Sequence, residues 1–169
     1  NGFLGFNDGL VELIGAVSGF LAAFEDIRFV LIAGFTTAVA GAFSMAAGIY
    51  GAVSSEKEMR RLDDGKARFL GSMAAATPGQ SASRSAVFVG VSYLLGSLVP
   101  IMPILLGART FLIPLCAAGV AVMIVSFMVA FLSGMDVRRR IFTNLGVIVV
   151  AISITYVIGL LAQRVLDGF

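Results

Sequence analysis

Long apolar stretches without a charged residue alternate with short charged segments along this chain. Four stretches carry no charge, at residues 29–55, 85–108, 110–135 and 141–163. Each exceeds the roughly 20 residues that a helix needs to cross about 30 Å of hydrocarbon. A fifth apolar segment, residues 3–24, contains two acids and would rise about 33 Å as a helix. The pattern therefore predicts five transmembrane helices, at about 3–24, 29–55, 85–108, 110–135 and 139–164.

The composition agrees with a chain that folds in a bilayer. Of 169 residues, 59% are hydrophobic and only 13% are charged, and the mean hydropathy is +1.00. A water-soluble domain of this size would leave much of that apolar surface exposed. We therefore expect an all-α membrane protein, with residues 1–169 forming a single transmembrane domain and residues 54–84 forming a cytoplasmic loop. The second helix is expected to continue into this loop until Gly65 ends it, and the rest of the loop has the composition of a flexible linker. Pro100 and Pro103 are expected to kink or break the third helix.

The basic residues predict the orientation of the helices. Nine of the twelve fall on one side of the predicted membrane, in the segments 57–68, 84 and 138–140. Only Arg28, Arg109 and Arg164 fall on the other side. By the positive-inside rule, the N-terminus is expected in the cytoplasm and the C-terminus on the opposite side. The net charge of +2 then reports topology, and we expect no nucleic-acid partner.

Several classes of function are excluded by what the sequence lacks. The chain has no His and one Cys, which rules out a Cys/His zinc site, a His-ligated haem and a disulfide framework within it. Cys116 is expected to be a small buried hydrophobe. No phosphate-binding loop or activated nucleophile is visible, so we expect no enzyme and no permanently bound cofactor.

The most informative residues are two acids inside the first helix. Asp8 and Glu12 are four apart and therefore lie on one helical face. Glu12 lies about 13 Å along the helix, near the expected bilayer midplane. An ionisable residue at that depth is a functional candidate, for metal binding and for proton coupling. Two structural alternatives remain: Asp8 caps a helix that starts at Gly9, and Glu12 reaches the headgroups from a helix end.

Small residues continue these faces in the first two helices. The acids are followed by Gly15, Gly19 and Ala22, which allow close helix packing or leave room for an ion path. The second helix carries a similar stripe, formed by Thr37, Gly41, Met45 and Gly48, and Ser44 lies next to it. Met45 offers a soft thioether ligand, although methionine is also a common space-filler. The metal-ligand candidates are thus Asp8, Glu12 and Met45, with Thr37, Gly41 and Ser44 as candidate pathway-lining residues.

Three sequence strings resemble the vacuolar iron transporter family. They are NDGLVELIGAVSGF at 7–20, AVAGAFSMAAGIYGAVSSEKE at 38–58 and, more loosely, GVSYLLGSLVPIMPILLG at 90–107. The resemblance implies a homodimer of five-helix subunits that exchanges cytosolic Fe²⁺, and often Mn²⁺, for protons. It also implies that the path lies between the first helices at the dimer interface, lined by Asp8 and Met45.

This chain departs from the family pattern in two ways. Plant members carry a Glu where Thr37 stands, and we hypothesise that Glu12 replaces that carboxylate across the path. Plant members also insert a cytoplasmic metal-binding domain that the short loop here cannot hold. Glu56 and Glu58 fall where its first acidic ligands begin, and are candidates for the place where metal enters from the cytoplasm. The alternative for these two acids is a solvated face balanced by neighbouring bases.

The string NDGLVEL also resembles the membrane half of membrane-bound ferritins. A chain that begins at Asn1 would fit the removal or disorder of an upstream ferritin-like domain, which is an expected partner. We therefore expect a Fe²⁺ or Mn²⁺ exporter driven by protons, in a prokaryotic plasma membrane or, alternatively, a vacuolar membrane. The alternative function is a membrane anchor or assembly module that transports nothing and uses its small-residue stripes only for packing.

Overall fold

The computed structural model describes residues 2–70, 81–108, 112–133 and 137–166. These residues form five helices and no strand, which confirms the all-α prediction. The helices are α1 (Gly2–Ala23), α2 (Ile27–Phe69), α3 (Ala82–Leu105), α4 (Leu112–Ser133) and α5 (Val137–Leu166). Four of them, α1, α2, α3 and α5, are long and apolar enough to cross a membrane, and α4 holds a shorter apolar stretch, Leu112–Met128. The fold is that of an integral membrane protein.

Helix α1 lies at the centre of the bundle and packs against each of the other four helices. It runs parallel to α3, because Gly5 lies beside Val89 and Gly9 beside Tyr93. It also runs parallel to α5, because Asn7 lies beside Asn144 and Ser18 beside Thr155. Helix α2 runs the opposite way along α3, with Gly34 beside Ile101 and Gly41 beside Tyr93. The odd-numbered helices α1, α3 and α5 thus run in the same direction, as expected for a chain that crosses the membrane five times.

Two buried clusters of apolar side chains hold the helices together. One joins α1, α2 and α3 and contains Leu13, Val17, Val30, Tyr93 and Ile101, among others. The second joins α1, α4 and α5 through Leu10, Ile14, Ala118, Val122 and Ile148. Leu10 and Leu13 are both fully buried, and each belongs to a different cluster. Because α1 contributes to both clusters, its position fixes where its acids point.

Glycine permits the closest approach between α1 and α3. A Cβ atom on Gly96 would meet the carbonyl oxygen of Phe6, and one on Gly9 would meet the carbonyl oxygen of Tyr93. In both cases the obstacle is backbone, which cannot move aside as a flexible side chain can. The two helices therefore pack at a distance that only small residues allow.

The structure corrects four expectations about local structure. Helix α2 does not end at Gly65 but continues to Phe69. Helix α3 begins at Ala82, so the last residues of the expected linker are helical, while residues 71–80 lie outside the described part of the chain. Pro100 and Pro103 do not break α3, which includes both and ends at Leu105, and a left-handed Gly107 follows. Cys116 is exposed, because it lies on the outer face of α4.

Candidate functional site

An open cavity of about 630 Å³ lies between α1 and α2, with α3 behind it. Its walls are formed by Asp8, Glu12, Thr36, Thr37, Ala40, Gly41, Ser44, Met45, Gly48, Ile49 and Tyr93. The six residues predicted from the sequence as ligands or as pathway lining are all among them. The lining part of α2 extends about 20 Å along the helix axis, roughly two-thirds of a hydrocarbon core.

The two acids of α1 point into this cavity from the middle of a helix. Because α1 begins at Gly2, Asp8 lies well inside it, and the alternative in which Asp8 caps a helix starting at Gly9 is wrong. Glu12 lies half-way along the 22 residues of α1 and does not reach either end. Both side chains are exposed at the surface of the single chain, whereas the neighbouring Gly9 and Leu13 are buried. Two carboxylates on an exposed face at membrane depth need a charged or polar partner.

Glu12 has such a partner in Tyr93 of α3. The Tyr93 hydroxyl donates a hydrogen bond of 2.6 Å to Oε2 of Glu12, and the Tyr93 side chain is only 1% exposed. Tyr93 was not among the residues predicted from the sequence. One signal was available, because a tyrosine in the middle of a charge-free span needs a hydrogen-bond acceptor when it is buried. The sequence alone does not say which of its many polar residues that acceptor is.

The stripe on α2 faces the acids as its spacing predicts. Thr37, Gly41, Met45 and Gly48 all line the cavity. Met45 is half-buried and also packs against the apolar cluster between α1, α2 and α3. The thioether therefore lies at the boundary between core and cavity, where it fills space and is still within the walls of the site.

The glycines that follow the acids on α1 do not extend the cavity. Gly15 and Gly19 face α5 instead, where a Cβ on Gly19 would approach the carbonyl oxygen of Thr155 to 2.8 Å. The Ser18 and Thr155 hydroxyls join the same contact at 2.8 Å. Of the two uses considered for these glycines, the structure supports packing. The ion path predicted along this face is thus limited to its first half.

A second polar contact joins α1, α4 and α5 away from the cavity. The Asn144 side-chain amide donates to the buried Ser126 hydroxyl at 2.8 Å, and it lies 3.5 Å from the Asn7 side-chain oxygen. The sequence left Asn144 without a role. In the structure it satisfies a buried hydroxyl and tethers three helices, as polar side chains commonly do between membrane helices.

Glu56 and Glu58 lie on the part of α2 that continues beyond the apolar span. Glu56 forms an exposed ion pair with Arg60 at 2.6 Å, one helical turn further on. Glu58 lines a separate cavity of about 770 Å³ between this part of α2 and the start of α3, together with Lys57 and Arg61. The structure therefore places the two acids apart from Asp8 and Glu12, and it pairs at least one of them with a base.

The metal-ligating groups of one chain are few. Among the described residues, no group of three His, Cys, Asp or Glu side chains lies close enough together to hold a metal ion. The cavity between α1 and α2 offers two carboxylates, one thioether and three hydroxyl groups besides Tyr93, and no basic side chain is among its described walls. Such a set suits a divalent cation that is held loosely or shared with further ligands.

Comparisons with known proteins agree with this picture. The sequence model of the VIT family matches residues 1–68 and 60–160. The chain is 35% identical over 104 residues to vacuolar iron transporter homolog 4 of Arabidopsis thaliana, covering 59% of this chain and 49% of that protein. It is 34% identical over 104 residues to homolog 1 of the same plant, covering 59% and 48%. It is 35% identical over 102 residues to homolog 5 of Oryza sativa subsp. japonica, covering 59% and 47%. The chain thus spans about half the length of the curated relatives it matches.

Proposed function

Because this chain belongs to the VIT family, we propose that it carries Fe²⁺, and also Mn²⁺, out of the cytosol in exchange for protons. The relatives that it matches are named as transporters and not as enzymes. One observation carries the proposal. The cavity between α1 and α2 brings together, at membrane depth, the two intramembrane acids and the one thioether that the sequence singles out.

The lining of the cavity suits a divalent ion of the first transition row. Carboxylates are hard ligands and a thioether is a soft one, and a site that offers both suits Fe²⁺ better than a purely oxygen site does. Asp8 and Glu12 supply the oxygen atoms, Met45 supplies the sulfur, and Thr37 supplies a hydroxyl. Metal is the transported substrate in this proposal and not a resident cofactor.

Proton exchange follows from the same two acids. A carboxylate that binds Fe²⁺ must be ionised, so the same carboxylate cannot hold a metal ion and a proton at once. Asp8 and Glu12 lie four residues apart, so metal release at one side leaves two negative charges that attract protons. The same pair of side chains then carries metal in one direction and protons in the other.

A second copy of the chain is proposed to cover the acids. The inward faces of α1 are buried by α3 and α5, and Asp8 and Glu12 lie on the face left exposed. Exposure of two acids to lipid is costly, and the described residues of one chain supply too few clustered ligands to surround an ion. A homodimer that meets through the exposed face of α1 removes both difficulties, because a two-fold axis would place four carboxylates around one path.

We place the protein in a prokaryotic plasma membrane with its N-terminus in the cytoplasm, the vacuolar membrane being the alternative. The charge asymmetry supports this orientation, since nine of twelve basic residues fall on the side of the α2 extension. In that orientation Gly48 and Ile49 lie at the cytoplasmic end of the cavity, and Glu56 and Glu58 follow them on the same helix. Glu56 and Glu58 would then meet metal before it reaches Asp8.

The proposal is tested in proteoliposomes that contain the purified chain and a pH-sensitive dye. Asp8→Ala and Glu12→Ala should each reduce metal-dependent proton flux to the level of empty vesicles. The physical reason is that neither the metal site nor the proton carrier survives the loss of one carboxylate. Size-exclusion profiles and helical circular dichroism of both variants should match those of the wild type.

A matched control is Asp63→Ala, which removes an acid from the exposed α2 extension and should leave the flux unchanged. Wild-type flux in both Asp8→Ala and Glu12→Ala would overturn the mechanism. The absence of flux in the wild-type chain itself would favour the anchor function instead.

A further inference from the structure

The Glu12 carboxylate is anchored at one of its two oxygen atoms. Oε2 accepts the 2.6 Å hydrogen bond from Tyr93, and Tyr93 belongs to α3, 81 residues away in the chain. A hydrogen bond to an ionised carboxylate is short and strong, and more so away from bulk water. The other oxygen, Oε1, makes no hydrogen bond within the described part of the chain.

The position of the Tyr93 hydroxyl is itself built into the packing. On one side, the backbone and ring of Tyr93 lie against Gly9, where a Cβ would be 3.1 Å from the ring atom Cγ. On the other side, Gly41 of α2 leaves the space that the phenol end occupies, since a Cβ there would meet the hydroxyl oxygen. Packing against α1 and α2 therefore holds the hydroxyl beside Glu12.

This anchoring limits how Glu12 ligates a metal. A carboxylate whose Oε2 already accepts a strong hydrogen bond presents Oε1 as its free oxygen, and Oε2 has only its remaining lone pair to offer a cation. One-oxygen ligation through Oε1 is therefore favoured. Ca²⁺ takes six to eight oxygen ligands and commonly uses both oxygens of a carboxylate. First-row transition ions accept fewer ligands and include sulfur among them. A site restricted to one-oxygen ligation is thus poor for Ca²⁺ and adequate for Mn²⁺ or Fe²⁺.

We propose that Tyr93 is a specificity-determining positioning residue that holds Glu12 in one-oxygen ligation and thereby disfavours Ca²⁺ relative to transition-metal ions. The inference rests on the proposed function, because it requires Glu12 to ligate the transported ion. Tyr93 acts through Glu12 and is not itself a ligand. The other side chains of the cavity that carry oxygen or sulfur are those of Asp8 on α1 and of Thr36, Thr37, Ser44 and Met45 on α2.

The test is metal binding by the purified full chain in detergent. Mn²⁺ is followed by the electron paramagnetic resonance signal of the free ion, and Ca²⁺ is measured by competition. Tyr93→Phe keeps the ring and removes the hydroxyl. The ratio of the Ca²⁺ to the Mn²⁺ dissociation constant should fall by about tenfold, which equals about 1.4 kcal/mol. A purely structural role would weaken both ions in parallel and leave the ratio unchanged.

Two further variants separate the hydroxyl from the fold. Gly41→Ala displaces the hydroxyl without removing it and should lower the ratio in the same direction. In a Glu12→Gln background, Tyr93→Phe should have no further effect, because the residue through which it acts is already changed. Tyr156→Phe is the matched control, since Tyr156 of α5 is 42% exposed and outside the cavity walls.

The outcomes distinguish the two proposals. If Mn²⁺ binding is insensitive to Asp8→Ala and Glu12→Ala, the metal site is elsewhere, and both the proposed function and this inference are overturned. If binding depends on those acids but neither Tyr93→Phe nor Gly41→Ala changes the ratio, only the role of Tyr93 is overturned.

Discussion

The position of Met45 is compatible both with a metal ligand and with a space-filling core residue. It packs against the core cluster and also lines the cavity. Met45→Leu separates them, because leucine keeps the volume and removes the sulfur. If the thioether is a ligand, Co²⁺ affinity should fall by up to about tenfold and Mn²⁺ affinity by less, since the later metal is the softer one.

Titration of both ions against the purified protein provides the measurement for Met45→Leu. Ala40→Val, at another position of the same cavity wall, controls for altered shape without altered ligands. Equal affinities of wild type and Met45→Leu for both ions would assign Met45 to packing alone.

Single residues were predictable where their chemistry contrasts with their surroundings. Asp8 and Glu12 stand out because a charge inside an apolar span is rare and costly, which the sequence displays directly. Tyr93 does not stand out in this way, because a tyrosine is common in membrane helices and its role depends on a contact across 81 positions. Gly15 and Gly19 share the face of the acids by periodicity, but tertiary packing assigns them to α5.

Between elements, the contact of α1 with α3 depends on glycine more than on any single apolar side chain. A methyl group on Gly96 would meet the backbone of Phe6, so Gly96→Ala must separate the helices. We expect this change to cost about 1–3 kcal/mol of stability, as overpacking typically does. Thermal unfolding in detergent, followed by circular dichroism, measures the effect.

Gly146→Ala is the matched control on α5. Nothing lies within 4 Å of the added methyl group, so the change should be neutral or raise the melting temperature through better helix propensity. A destabilisation of Gly96→Ala no larger than that of Gly146→Ala would contradict the proposed close approach.

The lengths of the apolar stretches predicted how many helices the chain forms, but they did not predict where each helix ends. Five apolar stretches gave five helices because lipid forces every spanning segment to satisfy its own backbone. Gly65 was expected to end α2, but its cost of about 1 kcal/mol is smaller than what the surrounding helix formers supply. Pro100 and Pro103 likewise lie within α3. Each removes only its own N–H hydrogen bond, and membrane helices tolerate this because neighbouring groups and small backbone adjustments satisfy the freed carbonyl.

The polarity of the molecular surface differs from one side of the helix bundle to another. Bulky apolar side chains such as Phe43, Phe131 and Phe142 are each more than 70% exposed and suit contact with lipid. The exposed face of α1 differs, because it carries Asp8 and Glu12. Hydropathy predicted the number of helices, but it does not show which helices are neighbours in the fold. The neighbours of each helix are determined by the packing of the glycines and of the buried clusters, which place α1 at the centre of the bundle.

The homodimer proposed through α1 predicts a specific cross-link. Leu4 is 59% exposed, one helical turn before Asp8, and on a two-fold interface it should lie near Leu4 of the second copy. In a Cys116→Ala background, which removes the native thiol, Leu4→Cys should therefore form a covalent dimer on mild oxidation in native membranes. Phe142→Cys tests random collision, because Phe142 is 74% exposed at a similar depth on the side of α5 turned away from α1. A dimer band with Phe142→Cys and none with Leu4→Cys would place the interface elsewhere and overturn the proposed dimer. It would also leave Asp8 and Glu12 facing lipid, and the cost of charge in hydrocarbon is incompatible with a state that transports ions.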